Sequence, residues 1–214
     1  MPVRKVVTPS GRGYRGYEPS KKMGRMIACE SALEQDAVRL FEFSPGVVKI
    51  EEQPEKIQFY VAGEQCTYFP DFEVILIHGE IIHVEVKPAS KLKKRALKER
   101  FEKIAQHYAS KNRQFRILTD TEIRAEPRLS NLKLLAYHRR ECDKDGSNLT
   151  EWIKQFSVLP AKTIAGATAV LGDITKVYRL IASGFLRCDL SKPITPESLI
   201  TFITKGEQND ALLF

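Results

Sequence analysis

The chain has 214 residues, 43% of them apolar and 29% charged, which sets aside a disordered chain and allows one large domain, or a domain with a small companion. No apolar run is long enough to cross a bilayer, and the first residues are polar and Gly-rich without the apolar centre of a secretory signal, so a cytoplasmic protein is expected. The net charge of +7 favours a polyanionic partner without naming one, while the four cysteines (Cys29, Cys66, Cys142, Cys188) and four histidines (His78, His83, His107, His138) show no metal-ligand spacing.

Residues 1–25 carry seven Lys/Arg against one acid and read as a flexible basic arm, because glycines, proline and serine oppose a helix. Its arginines and tyrosines could lie along a phosphate backbone. Ser31–Phe43 predicts a helix with Leu33, Ala37, Leu40 and Phe41 as its apolar stripe, stopped by Ser44-Pro45-Gly46. Strand-like pieces follow at Val47–Ile50 and Ile57–Val61, with a turn at Gly63. Asp71–Ile77 and Glu80–Val86 then predict a hairpin about His78-Gly79.

Pro88 closes that hairpin, and Lys91–Ser110 predicts a basic helix presenting Lys93, Lys94, Arg95, Lys98 and Arg100, with a core face that includes Phe101, Ile104 and Tyr108. Residues 91–116 hold ten Lys/Arg and two acids, so phosphate contact and a merely solvated face both stand. Gln114–Asp120 reads as a buried strand, Asn131–Cys142 as a helix and Asp143–Asn148 as a linker. The order of helix, strands, hairpin, helix and strand predicts an α/β domain over 26–148, with helices on a mixed sheet.

Residues 149–214 read as a small winged-helix-like domain with a tail. Thr163–Gly172 supplies a first helix, and Asp173 caps a second on which Ile174, Val177, Tyr178 and Ile181 share a face. Phe185–Leu190 then supplies a wing strand. The second helix offers only Lys176 and Arg179 to DNA, and residues 150–214 are nearly neutral (seven basic, six acidic), so docking on a protein competes evenly with reading DNA. The tail Glu207–Phe214 ends apolar, as an exposed docking peptide or a disordered end.

The chemistry concentrates in the hairpin. Alternation along Ile81–Lys87 puts Glu85 and Lys87 on one face, about 7 Å apart. Asp71, just after Pro70 at the start of the partner strand, falls beside them. Two carboxylates so close repel, and desolvation sharpens the conflict. A hard divalent cation such as Mg²⁺ resolves both, and a neighbouring lysine would stabilise charge building on a phosphate. The bland alternative makes Asp71 a strand-start cap and Glu85–Lys87 a surface ion pair. Glu34 fits S-x-x-E with Ser31, a capping box, and on residue chemistry alone reads as a cap.

These residues also carry a resemblance. Glu30–Pro54 (ESALEQDAVRLFEFSPGVVKIEEQP), Tyr68–Val74 (YFPDFEV) and His83–Pro88 (HVEVKP) resemble the TnsA-type endonucleases of heteromeric transposases, which have the restriction-endonuclease-like fold and its PD-(D/E)xK motif. The resemblance spans about Lys21–Leu118 and follows family order: the S-x-L-E helix, Gln53-Pro54, the Pro-Asp and the E-V-K. It implies that Glu34 is an acidic active-site residue and a candidate metal ligand, that Asp71 and Glu85 are metal ligands, that Lys87 activates the attacking water, and that the Val86 carbonyl completes the metal shell. It treats Gln53 as structural. It further implies Mg²⁺ (with Mn²⁺ as a substitute), a double-stranded DNA substrate cut on the 5′ strand at transposon ends, and two partners, a DDE transposase (TnsB) and an AAA+ ATPase (TnsC). Two other readings stand beside it: a related nuclease of restriction, phage DNA processing or repair, and a non-catalytic DNA-binding scaffold.

Overall fold

The computed structural model describes residues 16–61, 63–139, 162–203 and 210–214. Residues 1–15 of the arm and the linker read at 143–148 lie outside these. The chain divides into two compact units, one of residues 1–125 with 209–214 and one of residues 126–208. The second unit thus takes in the segment read as the last helix of the nuclease domain, and the first regains the tail.

The first unit opens with a hairpin, β1 (Gly16–Ser20) and β2 (Arg25–Cys29), turned at Gly24 with φ 64. Helix α1 (Ala32–Phe43) leads to the strands β3 (Val47–Glu52), β4 (Ile57–Val61), β5 (Glu64–Tyr68), β6 (Phe72–Leu76) and β7 (Ile81–Lys87). A single 3-10 turn (Ala89–Lys93), α2 (Arg95–Ala109), β8 (Gln114–Thr119) and the short α3 (Asp120–Ile123) complete it. The main sheet is mixed, in the order β3-β6-β7-β8, antiparallel except for the parallel β7–β8 pair, while β4 and β5 form a separate ribbon. Helices on a central mixed sheet fit the restriction-endonuclease-like expectation.

Helix α1 meets one face of the sheet, with Phe41 edge-on to Phe72 at 5.7 Å. The other face packs against α2 and the β4–β5 ribbon: Phe101, Ile104 and Tyr108 cluster with Ile57, Phe59 and Tyr68. His83, fully buried on β7, stacks on Tyr108 at 3.9 Å and places Nε2 3.1 Å from Glu55 and 3.3 Å from Glu73.

The arm reading fails for residues 16–25, because their polar groups are spent on α1 and β3 rather than left for phosphates. Glu18 accepts from Arg39 at 2.7 and 2.8 Å, and Ser20 donates to Glu42 at 2.6 Å. Arg25 pairs with Glu52 at 2.6 Å. The Lys22 ammonium donates to the carbonyls of Phe41, Ser44 and Val47, covering a helix end that has no basic residue of its own. The basic helix also starts later than read: Lys91 and Lys93 lie in the 3-10 turn, and Lys94 is the residue before α2.

The described end of the tail, residues 210–214, lies against its own unit. The Gly46 N–H donates to the Ala211 carbonyl at 3.0 Å, and the Leu213 N–H donates to Ser44 Oγ at 3.1 Å. The Phe214 ring stands edge-on to Phe41 at 5.1 Å, beneath the Arg116 guanidinium. The apolar residues that looked like a docking peptide have a docking place on their own chain.

Among its described residues, the second unit holds α4 (Arg128–Arg139), α5 (Ile164–Leu171), α6 (Ile174–Ala182) and an antiparallel pair, β9 (Leu186–Cys188) and β10 (Ile200–Phe202). Asp173 caps α6, as the sequence predicts, and α5 is capped by Thr163 and ended by Gly172 in the left-handed conformation. Asn131 on α4 donates to the carbonyls of Leu190 and Lys192 at 2.9 and 2.7 Å, tying that helix to the β9–β10 connection.

Candidate active site

Register alone assembles the site. β6 and β7 pair Phe72 with Val84, so the next step outward sets Asp71 against Glu85. β3 and β6 pair Glu52 with Phe72, which sets Gln53 against Asp71, and there the Gln53 N–H donates to the Asp71 carbonyl at 2.9 Å. β7 and β8 pair Glu85 with Ile117 and Lys87 with Thr119. Gln53, Asp71 and Glu85 therefore form one row across three strands, and Lys87 begins the next. Side chains directly opposite in such a row have Cβ atoms about 5 Å apart.

Each member is held. One Asp71 carboxylate oxygen accepts from the Val86 N–H at 2.7 Å. Glu85, 3% exposed, accepts from the Tyr68 hydroxyl at 2.5 Å through Oε2 and from the Lys87 ammonium at 2.6 Å through Oε1. Desolvation pushes the Asp71 carboxyl well above its ordinary value, and Glu85 and Glu34 push it further, against Lys87 and the Val86 N–H. Desolvation works against the Lys87 charge, yet Asp71, Glu85 and Glu34 together hold its pKa above the ordinary lysine value. Burial and the Glu85 carboxylate raise the Tyr68 phenol so far that it keeps its proton and acts as a donor.

Glu34 is present but committed elsewhere. Its N–H donates to Ser31 Oγ at 3.1 Å, its Oε2 accepts from the Glu30 N–H at 2.7 Å, and its Oε1 accepts from the Ser31 hydroxyl at 2.8 Å. Ser31 thus caps α1, while the Glu34 carboxylate reaches back to the Glu30 N–H rather than to that of Ser31. Desolvation raises its pKa, with Lys87 pulling the other way, so the Glu34 charge is felt at the site from a capping position.

Asp71, Glu85 and Lys87 border a cavity of about 280 Å³ whose wall also takes in Gln53, Tyr68 and Arg100. Tyr68 comes from β5, a strand that the polar stretch after Gly63 does not announce. Its one signal is that it falls three residues before Asp71. Arg100, read only as one of several basic residues, donates to the Thr67 carbonyl at 3.2 Å and so reaches back to the ribbon. Gln53 is buried with φ 42, and its side-chain oxygen has no hydrogen-bond partner.

The donor set suits a hard cation in kind: two carboxylates whose mutual repulsion is already visible in Asp71. Among the described residues, however, no three His, Cys, Asp or Glu side chains are grouped to hold a metal. Asp71 and Glu85 converge, and Glu34 does not join them in this conformation.

An acid at the start of one sheet strand, facing an E-x-K on its neighbour, with a helix against each face of the mixed sheet, is the arrangement of a restriction-endonuclease-like nuclease. Residues 44–120 match the family described as TnsA-like endonuclease N terminal, in agreement with the resemblance seen in the sequence, and this similarity suggests a transposase-associated nuclease. A comparison with curated proteins found no match. Among the described residues, no helix is long and apolar enough to cross a membrane.

Proposed function

We propose that the protein is an Mg²⁺-dependent DNA endonuclease that cuts the 5′ strand at transposon ends during cut-and-paste transposition, beside a TnsB-like DDE transposase and a TnsC-like AAA+ ATPase. The observation that carries this reading is the convergence of Asp71, Glu85 and Lys87 on one cavity inside the TnsA-like stretch. Asp71, Glu85 and the Val86 carbonyl would hold the cation, and Glu34 would join only by leaving its cap. Once bound, the cation would supply Lewis acidity to the phosphodiester and a readily deprotonated water. The remaining work falls to the protein. Lys87, already charged beside Glu85, orients the attacking water and balances charge on the phosphate oxygens. The ribbon and α2 wall the site and restrict water around it.

The start of α2 supports DNA as the substrate. Lys91, Lys93, Lys94 and Arg95 are exposed there, with no acid in the first turn of α2 and no side-chain cap. Positive charge at a helix N-terminus opposes the helix dipole by ~0.3–1 kcal/mol per group, and a phosphate backbone lying alongside reverses that sign. The second unit, with its described helices and strand pair, is proposed as the winged-helix-like module that docks on the ATPase or on DNA.

The test is nicking of a plasmid carrying the transposon ends, with Mg²⁺ and with the transposase and ATPase supplied. Wild type nicks the 5′ strands, while Asp71→Ala and Lys87→Ala do not, although both melt as folded proteins. Equal cutting by wild type and Asp71→Ala, or none by wild type with partners present, refutes the assignment.

A further inference from the structure

We propose that Tyr68 is a positioning residue of the hydrolytic site, its hydroxyl fixing the Glu85 carboxylate so that one oxygen remains for the cation. The proposal rests on reading Glu85 as a cation ligand. The two carboxylates are held differently. Asp71 is anchored by a backbone donor, the Val86 N–H, which cannot swing away. Glu85 has no backbone donor: its partners are the Tyr68 hydroxyl at 2.5 Å and the Lys87 ammonium at 2.6 Å. A carboxylate's terminal torsion is broad and roughly two-fold, so a buried Glu without a fixed donor samples rotations that spoil ligand geometry.

Lys87 cannot supply the fixed point. It sits on a flexible four-carbon stem, its side chain is 34% exposed, and its ammonium occupies the same Oε1 that a cation would approach. Tyr68 can. Its ring is 7% exposed, belongs to the cluster of Phe59, Phe101 and Ile104, and stands edge-on to Phe115 at 6.3 Å. Pairing of Tyr68 with Ile57 seats it on the ribbon. Tyrosine has two side-chain torsions, and packing fixes both. Oε2 is thereby committed to Tyr68, and Oε1 is left as the oxygen over which Lys87 and the cation exchange. The β4–β5 ribbon acquires a purpose beyond packing: it carries the second support of the ligand set across the cavity from the sheet.

The experiment is calorimetric Mn²⁺ binding to the full chain in four forms, wild type, Tyr68→Phe, Glu85→Gln and the double variant, with the Mn²⁺ dependence of nicking and the Mn²⁺-induced melting shift measured alongside. Supporting partners of a metal ligand are typically worth ~10–100-fold in affinity. Tyr68→Phe is expected to weaken Mn²⁺ binding by at least ~10-fold, to raise the Mn²⁺ concentration for half-maximal nicking correspondingly, and to change nothing further when Glu85 is already Gln. Wild-type Mn²⁺ affinity in Tyr68→Phe, or an equal loss in the Glu85→Gln background, overturns the positioning role and leaves the cation reading intact. Wild-type affinity in Glu85→Gln alone overturns the cation reading of Glu85, and the role of Tyr68 with it.

Discussion

Replacing Asp71 by Asn should make the metal-free protein more stable, and the gain should depend on pH. Asp71 faces Glu85 in register and lies within the fields of both Glu85 and Glu34, with one ammonium, Lys87, against these three carboxylates. At about 5 Å and an effective dielectric constant of about 20, the Asp71–Glu85 repulsion alone is ~3 kcal/mol. Lys87 offsets much of it, but desolvation adds a cost that Lys87 does not remove. Proton uptake limits the sum: a carboxyl that ionises near pH 3.9 when unfolded can be held neutral at pH 7 for ~4 kcal/mol, at ~1.4 kcal/mol per pH unit. Asn keeps the acceptor for the Val86 N–H and drops the charge, although its buried amide hydrogens reclaim about 1–3 kcal/mol. The expected net gain is ~1–3 kcal/mol at pH 7.5, or about 3–10 °C in melting temperature. The sign with pH follows from the raised folded-state pKa. The unfolded chain releases the Asp71 proton first, so wild type loses stability as pH rises from about 4, and the two proteins converge at the acid end. Melting both in chelator between pH 4 and 8 is the assay, repeated with Mn²⁺, which should stabilise wild type and not the variant. An Asn variant less stable at neutral pH, or a gain equally large at pH 4, would refute the reasoning.

Glu34→Gln separates the two roles of that residue, since the Gln carbonyl can still accept from the Glu30 N–H and its own N–H still bonds Ser31 Oγ. Melting should stay within ~0.5 kcal/mol of wild type, and an undiminished nicking rate would assign Glu34 to the cap alone. Gly46→Ala places a Cβ against the Asp210 backbone. It should expel the tail and lower stability by ~1–3 kcal/mol, and once Gly46 is Ala, deleting residues 210–214 should cost little more on melting. Asn131→Leu removes the donors to Leu190 and Lys192 and the acceptor for the Ile194 N–H, three hydrogen bonds that tie α4 to the β9–β10 connection. It should destabilise the second unit by ~2–4 kcal/mol, seen as earlier hydrogen exchange in α6 while β7 keeps its protection.

The central row was legible because it rests on two short-range rules: side chains alternate along β7, and a tight hairpin sets the β6–β7 register about His78-Gly79. Asp71, Glu85 and Lys87 follow from those rules alone. The ribbon was not legible in the same way. Four of the five residues of β5 remain exposed or half-exposed and only Tyr68 is buried, so the strand has no apolar period to announce it. β5 is held by β4 and by α2, where Arg100 reaches Thr67 from 33 residues on, which a local pattern does not contain. The arm misled for the converse reason. Glycine and proline mark a turn as readily as a loose segment, and what distinguishes the two is a set of remote partners, Arg39, Glu42 and Glu52, that accept or donate only once α1 and β3 are in place.

Glu34 marks the same boundary between local and long-range information. Its cap was readable because Ser31 and Glu34 lie three residues apart, and the Glu34 N–H donates to Ser31 Oγ as that spacing predicts, although the Glu34 carboxylate turns to the Glu30 N–H. Its electrostatic part in the site depends on the distance from α1 to β7, which no spacing along the chain encodes. As sets of direct contacts, a cap and a ligand compete for one carboxylate. In the folded site the capped carboxylate still acts on Asp71 and Lys87 through its charge, so a residue can tune this centre without touching what is bound there.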